Sequence, residues 1–427
     1  MNITRYNLAL LLIFPAILPY LLYRIVIGKE SFSSFLRKLG FYSSVKIDSK
    51  CIWIHAVSVG ETNTAVPLVE ALKREYPDKK ILFTVSTATG MSVAESKFKT
   101  QLEEGSLFLD YFPYDLPFAI NSSLRKFDPS LFIFLETELW PNFLTTCKKR
   151  GIPTILVNGR ISDNSFERYK KWRNLFAPVL AKVDSILMQT EEDSNRIVTL
   201  GAKPEQVKVA GNLKFDRSLQ KPCTGEEVRN EFSISLDVPV IIFASTHPGE
   251  EELLLNTLIE LRREFPLLIG IIAPRHPVRA GEITGIAARL GITTAIRTKK
   301  EKPEELLILD TVGELGLLYG GTDIAVMGGS FIPHGGQNPL EPAEWKVPVI
   351  FGPHMENFRS ITGPILESGG AFQVTNGDEL KKITLELLSD PQGCRKAGIA
   401  VYETVLSNRG ALKNTILEIL NVVGREE

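Results

Sequence analysis

Glu61 follows an apolar run, Ile52-Trp53-Ile54-His55-Ala56-Val57, and a turn at Ser58-Val59-Gly60, just before a helical pattern begins. A carboxylate at a loop tip suits the work of a general base toward a hydroxyl. An acid in that place also complements the dipole of the helix behind it, which lowers its pKa, so a base there needs burial or nearby anions to raise it again. Glu136 and Glu138 follow a second apolar run, and Trp140-Pro141 then opens a helix. The pair could hold a divalent cation, orient an acceptor hydroxyl or cap that helix. A hard cation wants more oxygen ligands than two, and no Asp-x-Asp pair occurs in the chain, so orientation of a substrate is favoured over a metal. Lys214, in Gly211-Asn212-Leu213-Lys214-Phe215-Asp216, could reach a leaving phosphate or could be an ordinary solvated linker lysine.

Other segments read as binding sites for a phosphate and a sugar. In Gly328–Pro353 a glycine-rich loop closes at Asn338-Pro339, and a short helix can start at Pro339-Leu340-Glu341. Glycines let backbone N–H groups approach a ligand, proline suits a first helical turn, and Glu341 could accept from ribose hydroxyls. Arg275, in Ala273-Pro274-Arg275-His276-Pro277, offers a planar fork for two oxygens of a phosphate or carboxylate. Amides near Gly313, in Asp310-Thr311-Val312-Gly313-Glu314, could read a base edge or a phosphate, or Glu314 could be a plain first-turn acid. All five histidines (His55, His247, His276, His334 and His354) fall at expected strand ends or adjoining loops, and no pair has zinc-ligand spacing.

The elements that must position these residues alternate. Apolar runs at 51–57, 80–85, 107–112, 131–135, 154–157 and 185–188 read as strands, with helical patterns at 64–75, 91–97, 140–150 and 191–200 between them. The rhythm pauses in a polar stretch and resumes with strands at 238–244, 267–272, 306–309, 323–327 and 347–351. This βαβα order implies parallel sheets covered on both faces. Two doubly wound, Rossmann-like α/β domains facing a cleft are expected, since ligands bind such sheets beyond the carboxyl ends of the strands. The expected divisions are a membrane anchor over 1–30, an N-terminal domain over 31–214, a linker over 215–236 and a C-terminal domain over 237–427.

A chain of 427 residues exceeds one ordinary core, in keeping with two domains. A formal net charge of −1 gives no electrostatic argument for nucleic acid. Cys51, Cys147, Cys223 and Cys394 are far apart and read as free thiols of a reducing compartment. Leu8 to Ile27 is almost wholly apolar and just long enough to span a bilayer; it lacks a small-residue cleavage site, and Pro15 and Pro19 argue against a soluble helix. Arg24, Lys29, Arg37, Lys38, Lys46 and Lys50 follow it against Arg5 before it, which places the bulk of the protein in the cytoplasm. Ser31 to Tyr42 reads equally as an interfacial helix or a simple linker.

Taken in order, the strings HAVSVGE, LETELWPN, GNLKFD, ASTHPGEEE, APRHPVR, DTVGELGLLYG and GGSFIPHGGQNPLEP resemble the Kdo (3-deoxy-D-manno-octulosonic acid) transferases of lipopolysaccharide assembly, over almost the entire chain. The resemblance implies an inverting glycosyltransferase of the GT-B fold that moves Kdo from CMP-Kdo to a lipid A precursor (lipid IVA) at the cytoplasmic face of the cell inner membrane. It implies no metal and no cofactor beyond the donor itself. By that resemblance Glu61 looks like the proton acceptor. Glu138, with Glu136 its near rival, and Lys214 look like groups that stabilise the transition state. Pro274 and Arg275, then Val312, Gly313 and Glu314, then Asn338, Pro339, Leu340 and Glu341 look like the CMP pocket. The chain departs from the family's pattern at Gly159, where Ala is usual, and at Gln337, where His is common; the second change removes one possible donor near the sugar phosphate. A UDP-GlcNAc-type epimerase of similar two-domain build, which would need no anchor, and a non-catalytic membrane scaffold are the alternatives.

Overall fold

The computed structural model describes residues 3–28, 30–42, 47, 49–216 and 223–424; Lys29, Lys46 and residues 217–222 of the expected linker lie outside them. The chain divides into two compact units, Met1–Arg217 with Arg409–Glu427, and Ser218–Asn408.

In the first unit seven strands form one sheet: β1 (Cys51–Ala56), β2 (Ile81–Val85), β3 (Leu107–Tyr111), β4 (Pro129–Leu135), β5 (Thr154–Gly159), β6 (Ser185–Met188) and β7 (Val207–Val209). Their order is β3-β2-β1-β4-β5-β6-β7, and every pairing is parallel. Because both faces are covered, β1 is buried at all six positions, and its Ile and Trp residues need no polar alternation. On one face Ile52, Ile54, Leu68, Leu72 and Ile133 pack together. The other face is aromatic: Trp53 lies edge-on to Phe112, Phe127, Phe132 and Phe143 with centroids 5.1–6.0 Å apart, and its indole N–H donates to Thr84 Oγ1 at 2.8 Å.

The sequence assigns all of 237–427 to one C-terminal domain, yet the final helix, Ala411–Val423, packs on the first unit. Ala411, Ile416, Ile419 and Val422 join the aliphatic face of the first sheet, and Glu418 accepts from Ser185 and pairs with Lys208. Asp216 caps this helix by accepting the N–H groups of Gly410 and Leu412, both at 2.7 Å. The apolar segment at the N-terminus is a helix, Ile3–Val26, long and apolar enough to cross a membrane by length and composition. Its polar residues touch the first unit: Tyr6 donates to Asp115 at 2.9 Å, and Asn142 donates to Asn7 at 2.6 Å. Leu8, Leu11 and Leu12 are exposed. Ser31 caps a short helix over Phe32–Lys38, so that stretch is helical and not a plain linker.

The second unit holds β8 (Val240–Thr246), β9 (Ile269–Pro274), β10 (Thr294–Ile296), β11 (Leu306–Ile308), β12 (Ile324–Met327), β13 (Val349–Phe351) and β14 (Ala371–Gln373). They are ordered β10-β11-β9-β8-β12-β13-β14, again all parallel. Part of the expected linker is the helix Gly225–Glu231, which Thr224 and Glu227 start with a reciprocal capping box and which belongs to this unit. In each sheet the first strand has neighbours whose connections run in opposite directions along the sheet, β1 with β4 and β8 with β12. Doubly wound folds open a crevice at such places, beyond the strands' carboxyl ends.

Candidate active site

The first unit gathers its acids at the β1–β4 crevice. Ser58 has extended backbone angles and caps the helix Val59–Glu75, its Oγ accepting from the Glu61 N–H at 3.2 Å. That helix starts five residues before the expected Thr64, so Glu61 lies inside its first turn and not ahead of it. Its side chain turns back: Oε2 accepts from the Val57 N–H at 2.8 Å, and Oε1 from the Ser58 hydroxyl at 2.9 Å. Glu61 is only 5% exposed. Burial first, and the charge of Glu136 second, push its carboxyl up to about 7, outweighing the bonds from Val57 and Ser58. The condition set by the helix dipole is met: an acid at a helix start is raised by desolvation and by a neighbouring anion.

Glu136 stands just past β4 in the left-handed region, φ 54°, unusual for a side chain of this kind. Its N–H donates to Val157 O, and its Oε2 accepts from Arg160 Nε at 3.2 Å. Arg160 follows β5, the neighbour of β4, and its carbonyl accepts from the Thr137 hydroxyl. Burial raises the Glu138 carboxyl, with Glu136 adding to the effect. Lys214 sits in a single 3-10 turn, Leu213–Asp216, whose Leu213 and Lys214 N–H groups donate to Asn158 and Asn212 side chains at 3.0 Å. Burial lowers its pKa, while Glu136 and Glu61 pull it back up, so the ammonium lies within the field of both acids. Asn414, within the last helix, and Arg409, just before it, donate to Ala210 O and Phe215 O and hold this turn and the residues leading into it from outside. Glu61, Glu136, Glu138 and Lys214 therefore form one group. Ser58, Asn158 and Arg160 support it without having been singled out; Arg160 was findable as the residue that ends the strand next to β4. His55 leaves the group: it is buried within β1, stacked on Phe112 at 3.8 Å, and burial lowers its pKa to about 3.

In the second unit the loops after β8, β9 and β12 converge. Glu250, buried, accepts from the N–H groups of His247 at 2.8 Å and Gly329 at 2.6 Å with one oxygen and from Phe331 with the other. It thereby ties the turn after β8 to the glycine loop after β12. Gly328 needs its lack of a side chain, because a Cβ there would lie 2.6 Å from Ser245 O. Pro274 closes β9, and the Arg275 N–H donates to Thr246 O at 2.9 Å, leaving its guanidinium exposed. Val312 is 86% exposed and Gly313 has φ 93°. Glu314 is no plain helix acid: Arg297 Nη2 donates to it at 2.7 Å, which lowers its carboxyl, and Arg297 also holds Glu231. The helix after the glycine loop is short, Leu340–Glu344, and Asn338 governs its start. Asn338 Oδ1 takes the Leu340 N–H and its Nδ2 donates to Glu341 Oε1, both at 3.2 Å. Trp345 Nε1 donates to Gly316 O at 2.7 Å, joining this helix to the turn of Val312–Glu314. Pro274, Arg275, Asn338 and Glu341 thus lie at a strand's carboxyl end or in the segments that follow such ends in one sheet, and Val312–Glu314 is linked to them through Trp345. Among the described residues no group of three or more His, Cys, Asp or Glu is placed to hold a metal ion.

Comparison with known proteins gives this geometry its context. A family model described as 3-Deoxy-D-manno-octulosonic-acid transferase (kdotransferase) matches residues 33–217. The chain is similar to the 3-deoxy-D-manno-octulosonic acid transferase of Haemophilus influenzae, at 35% identity over 393 residues and 90% of each protein. It is similar to the protein of the same name from Bordetella pertussis at 33% identity, over 86% of each. Among solved structures, a glycosyltransferase from Rickettsia africae matches 88% of this chain and 99% of its own with a TM-score of 0.59; at 15% identity that likeness concerns the fold, two Rossmann-like units of the GT-B kind. With 33–35% identity to these transferases over 86–90% of its length, the chain belongs to the 3-deoxy-D-manno-octulosonic acid transferase family, whose members are glycosyltransferases.

Proposed function

We propose that this chain moves Kdo from CMP-Kdo to a lipid A precursor with inversion, releasing CMP, in the assembly of lipopolysaccharide. The observation that carries the chemistry is Glu61, a buried carboxyl raised to about 7 beside Glu136. A carboxylate with that proton affinity takes a proton from a hydroxyl far more readily than one near 4. The acceptor oxygen bonds to the anomeric carbon as its proton passes to Glu61; the bond from that carbon to the phosphate oxygen breaks, and CMP leaves with the electron pair. Positive charge grows on the sugar ring, which the Glu136 and Glu138 carboxylates favour, and Lys214 opposes the negative charge on the departing phosphate. Pro274, Arg275, Val312, Gly313, Glu314, Asn338, Pro339, Leu340 and Glu341 hold the CMP. The reaction uses no cofactor, since CMP-Kdo brings its own leaving group.

The acceptor is a lipid, and the helix Ile3–Val26, with a mean hydropathy of 2.0, supports an anchor in the cell inner membrane. Arg24 in its last turn, with Arg37, Lys38 and Lys50 beyond it, supports a cytoplasmic location for the rest of the chain. Incubating the purified protein with CMP-Kdo and a tetraacylated lipid A precursor, and weighing the product, tests the assignment: the lipid gains the mass of one or more Kdo units. Glu61→Ala loses transfer and keeps CMP binding. An unchanged lipid mass with the wild-type chain refutes the function, and loss of CMP binding in Glu61→Ala refutes the role given to Glu61.

A further inference from the structure

Three histidines that the proposed reaction leaves unused meet at the β8–β12 crevice. His247 follows β8, His276 follows β9 and His334 lies in the loop after β12. The His247 and His334 rings lie against each other at a tilt of 37° with centroids 3.8 Å apart, and His276 stands edge-on to His247 at 6.5 Å. Gly329, at φ 64°, leaves room for the two rings, since a Cβ there would lie 3.2 Å from the His247 ring. His247 is 7% exposed, and Gln337 Nε2 lies 3.0 Å from its Nε2. With the Gln337 amide N–H as donor, Nε2 of a neutral ring is the acceptor and the ring proton sits on Nδ1. The charged groups that act on His247, namely His334, His276, Arg275 and Arg279, are all basic. The nearby acids are occupied: Glu250 by three backbone N–H groups, and Glu251 and Glu282 by Arg279. Neither the Arg275 guanidinium nor a His276 ring nitrogen has a hydrogen-bond partner among the described residues, and the buried Thr246 hydroxyl in the same turn has none either.

Donors without acceptors, basic neighbours without free acids and a crevice at the switch point together describe a site for oxyanions, and these imidazoles are not placed as a metal site. We infer that His247, His276 and His334, with Arg275, form a cradle for an anionic group of the donor, and that Gln337 is the positioning residue that fixes the His247 tautomer. The inference rests on the function proposed above, under which the donor carries two such groups, a phosphodiester and a sugar carboxylate. It gives Gln337 a role in this chain.

Calorimetric titration of the full-length wild type, His334→Asn and Gln337→Leu with CMP and with CMP-Kdo tests it. His334 is exposed, so its substitution leaves the fold intact. His334→Asn weakens CMP-Kdo at least tenfold. CMP stays within twofold of wild type if the carboxylate occupies the cradle, and weakens equally if the phosphate does; either result supports the cradle. Unchanged affinity for both ligands overturns it. A wild type that binds neither ligand refutes the proposed function instead. Gln337→Leu raises KM for the donor more than it lowers kcat and shifts the His247 ring 15N signals toward a tautomer mixture, and Gln337→His restores both. A Gln337→Leu protein with wild-type ring signals overturns the positioning role.

Discussion

Replacing Glu61 by Gln separates what this residue does for the reaction from what it costs the fold. Glutamine can keep the local geometry, its carbonyl accepting from Val57 N–H and its amide donating to Ser58 Oγ, where the native oxygens now bond. What it removes is an ionisable group whose carboxyl stands at about 7 in the folded protein against 4.5 for the free side chain. Between those values the folded chain holds a proton that the unfolded chain has lost, so native stability falls as pH rises through this window. At about 1.4 kcal/mol for each tenfold change in proton affinity, the full loss above the window is about 3 kcal/mol. Glu61→Gln should therefore match wild type near pH 4.5 and exceed it by up to about 3 kcal/mol near pH 8. For a unit of this size that is an increase in Tm of roughly 6–12 °C. Thermal unfolding in detergent at both pH values, followed by circular dichroism, measures the difference. Transfer by the wild type runs the other way and rises across the same window as Glu61 ionises. A Tm difference that is the same at pH 4.5 and pH 8 would refute the claim that a buried, titrating carboxyl stands at this position.

Two further substitutions probe the parts that hold the site. Asp216→Ala removes the acceptor for two N–H groups of the last helix; it should cost about 1–2 kcal/mol and lower the transfer rate through the Lys214 turn, with CMP affinity unchanged by calorimetry. Gly398→Ala places a Cβ 1.8 Å from Lys346 O; the helix Pro391–Ser407 must move, at a cost of about 1–3 kcal/mol, and CMP binding should weaken while the first unit's melting is unaffected.

Most of the strands were legible because a parallel sheet covered on both faces writes each central strand as a continuous apolar run. The runs 51–57, 131–135 and 323–327 coincide with β1, β4 and β12 to within two residues at each end. The strands not foreseen, β7, β10 and β14, have three residues each and lie at sheet edges, where a short run is too brief to stand out. The start of the helix Val59–Glu75 was obscured by Gly60 and Pro67, both poor helix formers, and was fixed by Ser58 and Glu61 through contacts that only the folded turn displays. Glu61, Glu136, Glu138 and Lys214 could be picked out one by one, since each follows a strand or turn. Their convergence depends on β1 lying beside β4, which sequence order does not reveal. The same applies to Arg160, brought to Glu136 by the pairing of β4 with β5. The final helix was not foreseen, and the apolar face it carries at Ile416, Ile419 and Val422 does not by itself name the sheet it covers.

That helix sets an order of events during synthesis. The segment that caps onto Asp216 and completes one face of the first sheet is made only after the whole second unit, Ser218–Asn408. At about 5–20 residues per second, the stretch from Arg217 to Arg409 takes roughly 10–40 seconds to make. Throughout that interval the part of the aliphatic face that Ala411, Ile416, Ile419 and Val422 cover lies open, with the apolar N-terminal helix already made. A chaperone or the membrane surface would have to shelter that face, and the Lys214 turn would lack its outer support until then. An enzyme built this way stays inactive until that helix has been made, and removal of Ala411–Val423 would cost activity even though every proposed catalytic residue remained.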